Sequence, residues 1–391
     1  MSQQSVRCYL DHNATTPIDE ELMGYIGEFL PYWGNPSSIY TSAREPKRIL
    51  RETRRKLAEL IGSHPLELIF TSGGSEANNL ALKGLLEHFK TLGKDTLVTS
   101  AVEHPSVLNT VKAIAKWGWN VEIIPVNRQG ELDIKQYQKV LATQKVGLVS
   151  FMAANNETGV IFPIKDLCQM AHEYGALFHC DAVQFFGKKE FCLKDLNVDL
   201  ASFSAHKFYA LKGCGILYCR KGLPLESLIH GGGQERSRRA GTENILAIAA
   251  LGFMLDKIPD ILSRLQEVEK LRDHFEAQVK EKIADIDITA HGQSRLCNTS
   301  HLIISGVDGE NMLINLDLKG FEVSTGAACS AGSPEPSPVL LAMGISKAEA
   351  QSSLRVSLGK ATTLEHIESF VQTLVDTVEK LRELSGYKSQ I

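Results

Sequence analysis

Short apolar runs alternate with longer segments whose apolar positions recur at helical spacing through the first 220 residues. The first kind reads as buried strands and the second as amphipathic helices. The pattern predicts strands at 66–71, 96–100, 120–125, 146–152 and 176–180. Helices are predicted at 105–117, 133–142 and 164–174, between those strands. Further strands near 201 and 215 complete a sheet. Such alternation argues for an α/β domain with a mostly parallel sheet. Upstream, the pattern gives an extended entry at Arg7–Leu10, a helix from near Asp19 to before Pro31, and a basic helix over 45–61.

Past Gly241 a long helical segment is expected to reach about Ala284. It is followed by a strand at 300–304, a helix at 309–317, a strand at 321–325, helices near 335 and 346, a strand at 354–358 and a closing helix at 363–385. This different mixture of elements places a domain boundary near 255–265. Residues 16–260 are assigned to a large domain, and residues 1–15 with 261–391 to a smaller α/β domain.

Composition narrows the class. The chain has 391 residues, 43% hydrophobic and 23% charged, enough to bury a large core. A net charge of −4 gives no broad electrostatic case for nucleic acid or an anionic membrane. Met1–Arg7 carries no apolar signal core, and no apolar run long enough to span a bilayer follows. The expected compartment is the cytoplasm, where eight scattered cysteines read as thiols rather than a disulfide frame. No Cys/His grouping has zinc-ligand spacing, so no metal site is expected.

The candidate chemistry sits at strand ends. The 66–71 strand runs into Ser72-Gly73-Gly74-Ser75 and then a helix through Leu85. Glycines that admit backbone N–H groups, a capping Ser75 and a helix N-terminus make an anion cradle. It is neither a P-loop nor a dinucleotide fingerprint, since no Walker lysine and no G-x-G-x-x-G is present. Asp181 closes the 176–180 strand, where open α/β sheets bind ligands. Lys207 follows the strand near 201, and a desolvated lysine becomes a neutral amine able to condense with an aldehyde. A carboxylate for a pyridine nitrogen, a lysine for an aldehyde and a cradle for a phosphate together point to pyridoxal phosphate. His104 also follows a strand, and both stacking on the ring and a structural role are open to it.

Cys329 lies in a run of small residues, Ser324–Ser333, and is poor core filler there. Cys168, Cys180, Cys192, Cys214, Cys219 and Cys297 have apolar surroundings and are expected in the core.

Together these motifs resemble the cysteine desulfurases of the class V aminotransferase family. The likeness rests on Tyr9–Thr16, Gly34–Ser38, Phe70–Asn79, Glu103-His104, Asn155–Gly159, the Asp181/Gln184 pair and Ser204–Lys207. It continues through His230–Glu235, Arg239–Thr242, the Cys329 loop and Leu354–Gly359. The resemblance implies fold type I of the pyridoxal-phosphate enzymes, with a mostly parallel seven-stranded sheet in the large domain. It implies that Lys207 carries the cofactor, Asp181 pairs with the pyridine nitrogen, and Gln184 bonds the phenolic oxygen. Gly74, Ser75, Ser204 and His206 would hold the phosphate, with Thr242 reaching it from the other subunit of a homodimer. His104 would stack on the ring and shuttle protons. Asn156 and Arg355 would hold the amino-acid end of L-cysteine, and Cys329 would receive its sulfur as a persulfide for an acceptor such as an iron–sulfur scaffold, or for tRNA thiolation. The sequence departs from the family pattern at Tyr40, Ala43, Leu211, Ala327, Ala331, Pro334 and Pro338, none of which is a catalytic group. The basic run Arg236–Arg239 would sit near the dimer interface rather than on nucleic acid.

Other readings are selenocysteine cleavage or another class V reaction, and an idle relative acting as a scaffold. A serine hydrolase is discarded for lack of a G-x-S-x-G elbow.

Overall fold

The computed structural model describes residues 7–325 and 335–387 of the chain. After a short strand β1 (Cys8–Tyr9), seven strands share one sheet: β2 (Leu68–Thr71), β3 (Thr96–Ser100), β4 (Asn120–Ile124), β5 (Val146–Met152), β6 (Leu177–Asp181), β7 (Leu200–Ser204) and β8 (Gly215–Cys219). Their order is β2-β8-β7-β6-β5-β3-β4. Only β8 runs antiparallel to its neighbours; the pairs from β7 to β4 are parallel. The mostly parallel seven-stranded sheet expected from the sequence is therefore present.

Helices cover both faces of this sheet, which is why β3, β5, β7 and β8 are buried at every position and carry no charged residue. The first helices are α1 (Glu20–Phe29), α2 (Arg44–Ile61), α3 (Gly74–Lys83), α4 (Leu86–Thr91), α5 (Pro105–Ala115), α6 (Ile134–Thr143) and α7 (Ile164–Glu173). Successive strand residues face opposite ways. Ile69, Leu97, Leu148 and Leu217 join a core beneath α3, α4 and α5. Phe70, Val98, Val149 and Ile216 join a larger one with α2, α6 and α7. Two short elements follow, α8 (Leu193–Leu196) and the turn α9 (Gln234–Ser237), whose Glu235 and Arg236 are left-handed.

The long helix expected from Gly241 is two helices, α10 (Ile245–Ser263) and α11 (Leu265–Lys282), which meet at Arg264. The physical reason is a change of core. Ile258 and Ile261 of α10 pack with the large sheet, whereas Val268 and Phe275 of α11 pack with a second apolar cluster. That cluster contains Leu10 and residues of β9 (Ile286–Ile288), β10 (Thr299–Ile304), α12 (Gly309–Leu318), β11 (Phe321–Glu322), β12 (Ser353–Ser357) and α15 (Leu364–Ser385). The strands β12, β10 and β9 form a second, antiparallel sheet, and β1 pairs with β11. The helices expected near 335 and 346 are α13 (Pro338–Ala342) and α14 (Lys347–Gln351).

Smaller differences have local causes. Residues 65–67 form a 3-10 turn closed by a His64/Glu67 capping box, so β2 starts two residues later than expected. The strand expected at 321–325 is only two residues long, because β1 offers just two partners. Cys168, Cys180, Cys214, Cys219 and Cys297 are buried as expected, but Cys192 is half-buried because it precedes the surface turn α8. Among the described residues no helix is long and apolar enough to cross a membrane.

Candidate active site

Parallel pairing puts the C-terminal ends of β3, β5, β6 and β7 on one rim of the sheet. β2 exits on the same rim, since two antiparallel steps through β8 restore its direction. A cleft of ≈ 330 Å³ opens there. Its walls include Gly74, Ser75, His104, Asn156, Asp181, Gln184, Ser204, His206, Lys207 and Arg355. The structure thus brings these ten expected site residues together, though they come from segments spread along the chain from α3 to β12.

At one end lies the start of α3. The first N–H bonded back to the loop is that of Ala77, on Gly73 O, so the donors ahead of it point out of the helix end. Two glycines make the approach possible. A Cβ on Gly74 would fall 2.8 Å from Val183 Cγ2, and one on Gly215 would fall 2.3 Å from the Gly73 carbonyl carbon. Ser75 does not cap α3, contrary to expectation; Gly73 is the N-cap, and Ser75 lies inside the first turn. Ser204 and His206 close this end. His206 Nδ1 is 3.0 Å from Thr15 Oγ1, and burial lowers its pKa to about 4, so the ring is neutral at pH 7.

In the middle, both carboxylate oxygens of buried Asp181 are engaged. Oδ2 accepts from Asn78 Nδ2 at 2.7 Å and Oδ1 from Val183 N at 3.0 Å. Asn78 Nδ2 also donates to Ser106 Oγ, while its Oδ1 is buried without a partner among the described residues. His104 caps α5 by accepting Ser106 N–H on Nδ1 at 3.1 Å. The neutral ring therefore carries its proton on Nε2. Desolvation by the cleft walls lowers its pKa.

Lys207 Nζ donates to the carbonyls of Asn13 and Ala14, each at 2.6 Å. Burial pushes this amine down to about 8, with Arg355 adding to the effect. Gln184 Nε2 donates to the same Asn13 carbonyl at 2.8 Å. At the far side, Arg355 Nη2 donates to Asp11 Oδ1 at 2.7 Å and Nη1 to Asn156 O at 3.1 Å. Its buried Nε has no partner among the described residues.

Thr242 does not line this cleft; it is exposed on a loop elsewhere on its own chain. Cys329 lies outside the described residues, as do the departures Ala327, Ala331 and Pro334. The basic run Arg236–Arg239 is not simply solvated. Arg236 and Arg238 donate to the Leu66 carbonyl, and Arg239 pairs with Glu76. The sequence pattern assigns no role to Asn13, Asn78, Ser106 or Lys188. Asn78 was within reach, four residues after Gly74 on one helix face. Asn13 and Lys188 carry no local signal, because their partners are far along the chain.

A family model described as aminotransferase class-V matches residues 8–370. The chain belongs to the class-V aminotransferase family. This class-V member is 42% identical to cysteine desulfurase IscS of Dictyoglomus turgidum over 384 residues, covering 98% of this chain and 97% of that protein. Among solved structures, a NifS-like protein superposes with a TM-score of 0.89 at 35% identity, covering 96% of this chain and all of that one, 100%. The structure described as SspA in complex with cysteine gives a TM-score of 0.79 at 32% identity, with 91% and 99% covered.

The family implies pyridoxal phosphate, and the residues present fit it. The cleft offers a glycine-walled helix start for a phosphate, a buried carboxylate for a ring nitrogen and a depressed amine for an aldehyde. The class-V fold thus supplies in one place each group that the cofactor needs.

Proposed function

We propose that this protein is a cysteine desulfurase, taking sulfur from L-cysteine and releasing L-alanine. What carries the reading is the convergence of Lys207, Asp181 and Arg355 on one cleft, in a chain alike over nearly its whole length to cysteine desulfurases. Gly74, Ser75, Ser204 and His206 would hold the phosphate of pyridoxal phosphate, Asp181 its ring nitrogen, Gln184 its phenolic oxygen and Lys207 its aldehyde carbon. Bound there, the cofactor supplies an electron sink for charge developing on the substrate's α-carbon.

The chain's own residues do the rest. Arg355 binds the substrate carboxylate, its guanidinium matching that group's geometry. Asn156 sits beside it and orients the amino-acid end. His104 would stack over the ring, where its Nε2–H can donate a proton. Cys329 must act as thiolate. Its sulfur forms an S–S bond to the substrate sulfur as the substrate C–S bond breaks, leaving a persulfide on Cys329. The electron pair of the broken bond stays on the substrate carbon, which takes up a proton to give the methyl group of alanine. Thr242 completes the phosphate site of a second copy in a homodimer. The sulfur passes to an acceptor protein such as an iron–sulfur scaffold, in the cytoplasm.

The test is incubation of protein loaded with pyridoxal phosphate with L-cysteine, reading alanine and the mass of the Cys329 peptide. Alanine in step with a persulfide on that peptide is expected. Cys329→Ala should keep the visible absorbance and form no persulfide; sulfur released by that variant would overturn the assignment. Turnover of selenocysteine without any turnover of cysteine would favour a selenocysteine lyase.

A further inference from the structure

Behind Lys207 lies a second buried lysine. Lys188 follows Gln184 by one helical turn's spacing, and its Nζ donates to Gln184 Oε1 at 2.6 Å and to Asn13 Oδ1 at 2.7 Å. Among the described residues no carboxylate pairs with it, which is unusual for a buried lysine. An amine with two acceptors and no counter-ion is satisfied as a neutral group with two N–H bonds. Burial agrees, pushing Lys188 down to about 7, with Lys207 and Arg355 adding to the effect and Cys297 opposing it. His12, whose pKa is lowered chiefly by burial, is a further titratable group near Lys188.

The consequence falls on Gln184. A glutamine amide can sit either way round, and its neighbours decide. Here Oε1 faces the Lys188 amine, and Nε2 faces the Asn13 carbonyl that also accepts from Lys207. Reversing the amide would set oxygen against the Asn13 carbonyl and N–H against the Lys188 donors. The lone pair of the neutral amine is then the only acceptor on that side, and the oxygen-to-oxygen contact with the Asn13 carbonyl remains.

We propose that Lys188 is a positioning residue of the cleft: it fixes the Gln184 carboxamide with its N–H edge toward the Lys207 side, ready to donate to the phenolic oxygen of the cofactor. The inference rests on the reading of Gln184 and Lys207 given under the proposed function. A donor there stabilises a phenolate, because a hydrogen bond to the charged form favours it.

The experiment compares wild type, Lys188→Met, Gln184→Ala and the double variant, each loaded with pyridoxal phosphate. The readout is the pH midpoint of the change in the cofactor's visible absorbance. Lys188→Met should raise the midpoint by about one pH unit, Gln184→Ala should do the same, and the double variant should add nothing further. Lys188→Gln, which keeps an N–H donor group, should return the midpoint toward wild type and guards against a Lys188→Met protein that fails to fold. A midpoint unmoved in Lys188→Met, or shifts that simply add in the double variant, overturns the proposal. A crystal structure of cofactor-free Lys188→Met should show the Gln184 amide rotated away from Asn13; an unchanged amide overturns it independently. If wild type takes up no cofactor at all, the proposed function fails instead, and the crystal structure still decides whether Lys188 orients Gln184.

Discussion

Arg355 reaches Asp11 from the opposite end of the chain, with Nη2 2.7 Å from Oδ1, and Arg355 itself borders the proposed substrate end of the cleft. One arm of the guanidinium is held by Asp11, the other by the Asn156 carbonyl, and Nε is left over. Arg355→Lys keeps the charge but loses the planar fork. Hydrogen bonds to charged groups contribute about 1.5–3 kcal/mol. The variant should therefore raise KM for L-cysteine by roughly 10- to 100-fold with a smaller change in kcat. Steady-state alanine formation measures both, and an unchanged KM would place the substrate carboxylate elsewhere.

The depressed amine of Lys207 gives a second test. A neutral amine attacks an aldehyde and an ammonium does not, so uptake of pyridoxal phosphate by the apoprotein should speed up with rising pH. Because burial holds Lys207 near 8, the rise should level off above about that pH. An ordinary lysine would keep gaining toward 10.5. Stopped-flow absorbance between pH 6.5 and 10 distinguishes the two curves.

Arg54 and Glu235 form a buried two-armed pair, at 2.5 and 2.9 Å. Glu235 also accepts from Phe70 N on β2, and Arg54 donates to the Leu68 carbonyl. Glu235→Ala would strand a buried guanidinium and a strand N–H together. The expected cost is about 3–5 kcal/mol, read as a lower urea midpoint. A loss below about 1 kcal/mol would mean that the pair behaves as an exposed one.

Stability should also fall in mild acid. Burial holds His12 and His206 near 4, and His179 and His301 near 3, against an ordinary value of 6.5. Below pH 6.5 the unfolded chain takes up protons that these folded imidazoles refuse, which favours unfolding. Glu103 and Glu157 act the other way, since burial raises them to about 8 and about 7 and the folded state keeps their protons. Four imidazoles outnumber two carboxyls, so the apoprotein should weaken from pH 6.5 to 4.5. The slope is roughly 1.4 kcal/mol per pH unit for each net proton. Urea midpoints that stay level or rise toward pH 4.5 would contradict this balance.

Much of this was legible in the chain because its signals are local. The spans of β3 and β5 match the sequence pattern to the residue, since each is a charge-free stretch set off by polar or charged residues from the helices around it. Asp181 and Lys207 stood out because ionisable groups right after buried strands need a reason to be there. What stayed hidden depends on distant partners. Lys188 meets Asn13 across 175 positions, and His206 meets Thr15 across 191. The break at Arg264 was equally invisible, because an apolar stripe does not say which of two cores it will face. Ser75 was misplaced for a subtler reason: Gly73 is already the cap, so the serine two positions on lies inside the first turn.

The reversal of β8 has a last consequence. By standing between β2 and β7, it lets the glycines after residue 71 land beside Ser204 although 130 positions separate Gly74 from that serine. Neither margin of the pocket exists until the returning ribbon has zipped onto both neighbours. Colour from a bound vitamin would thus report a completed assembly, and no fragment missing either the leading or the returning segment could acquire it.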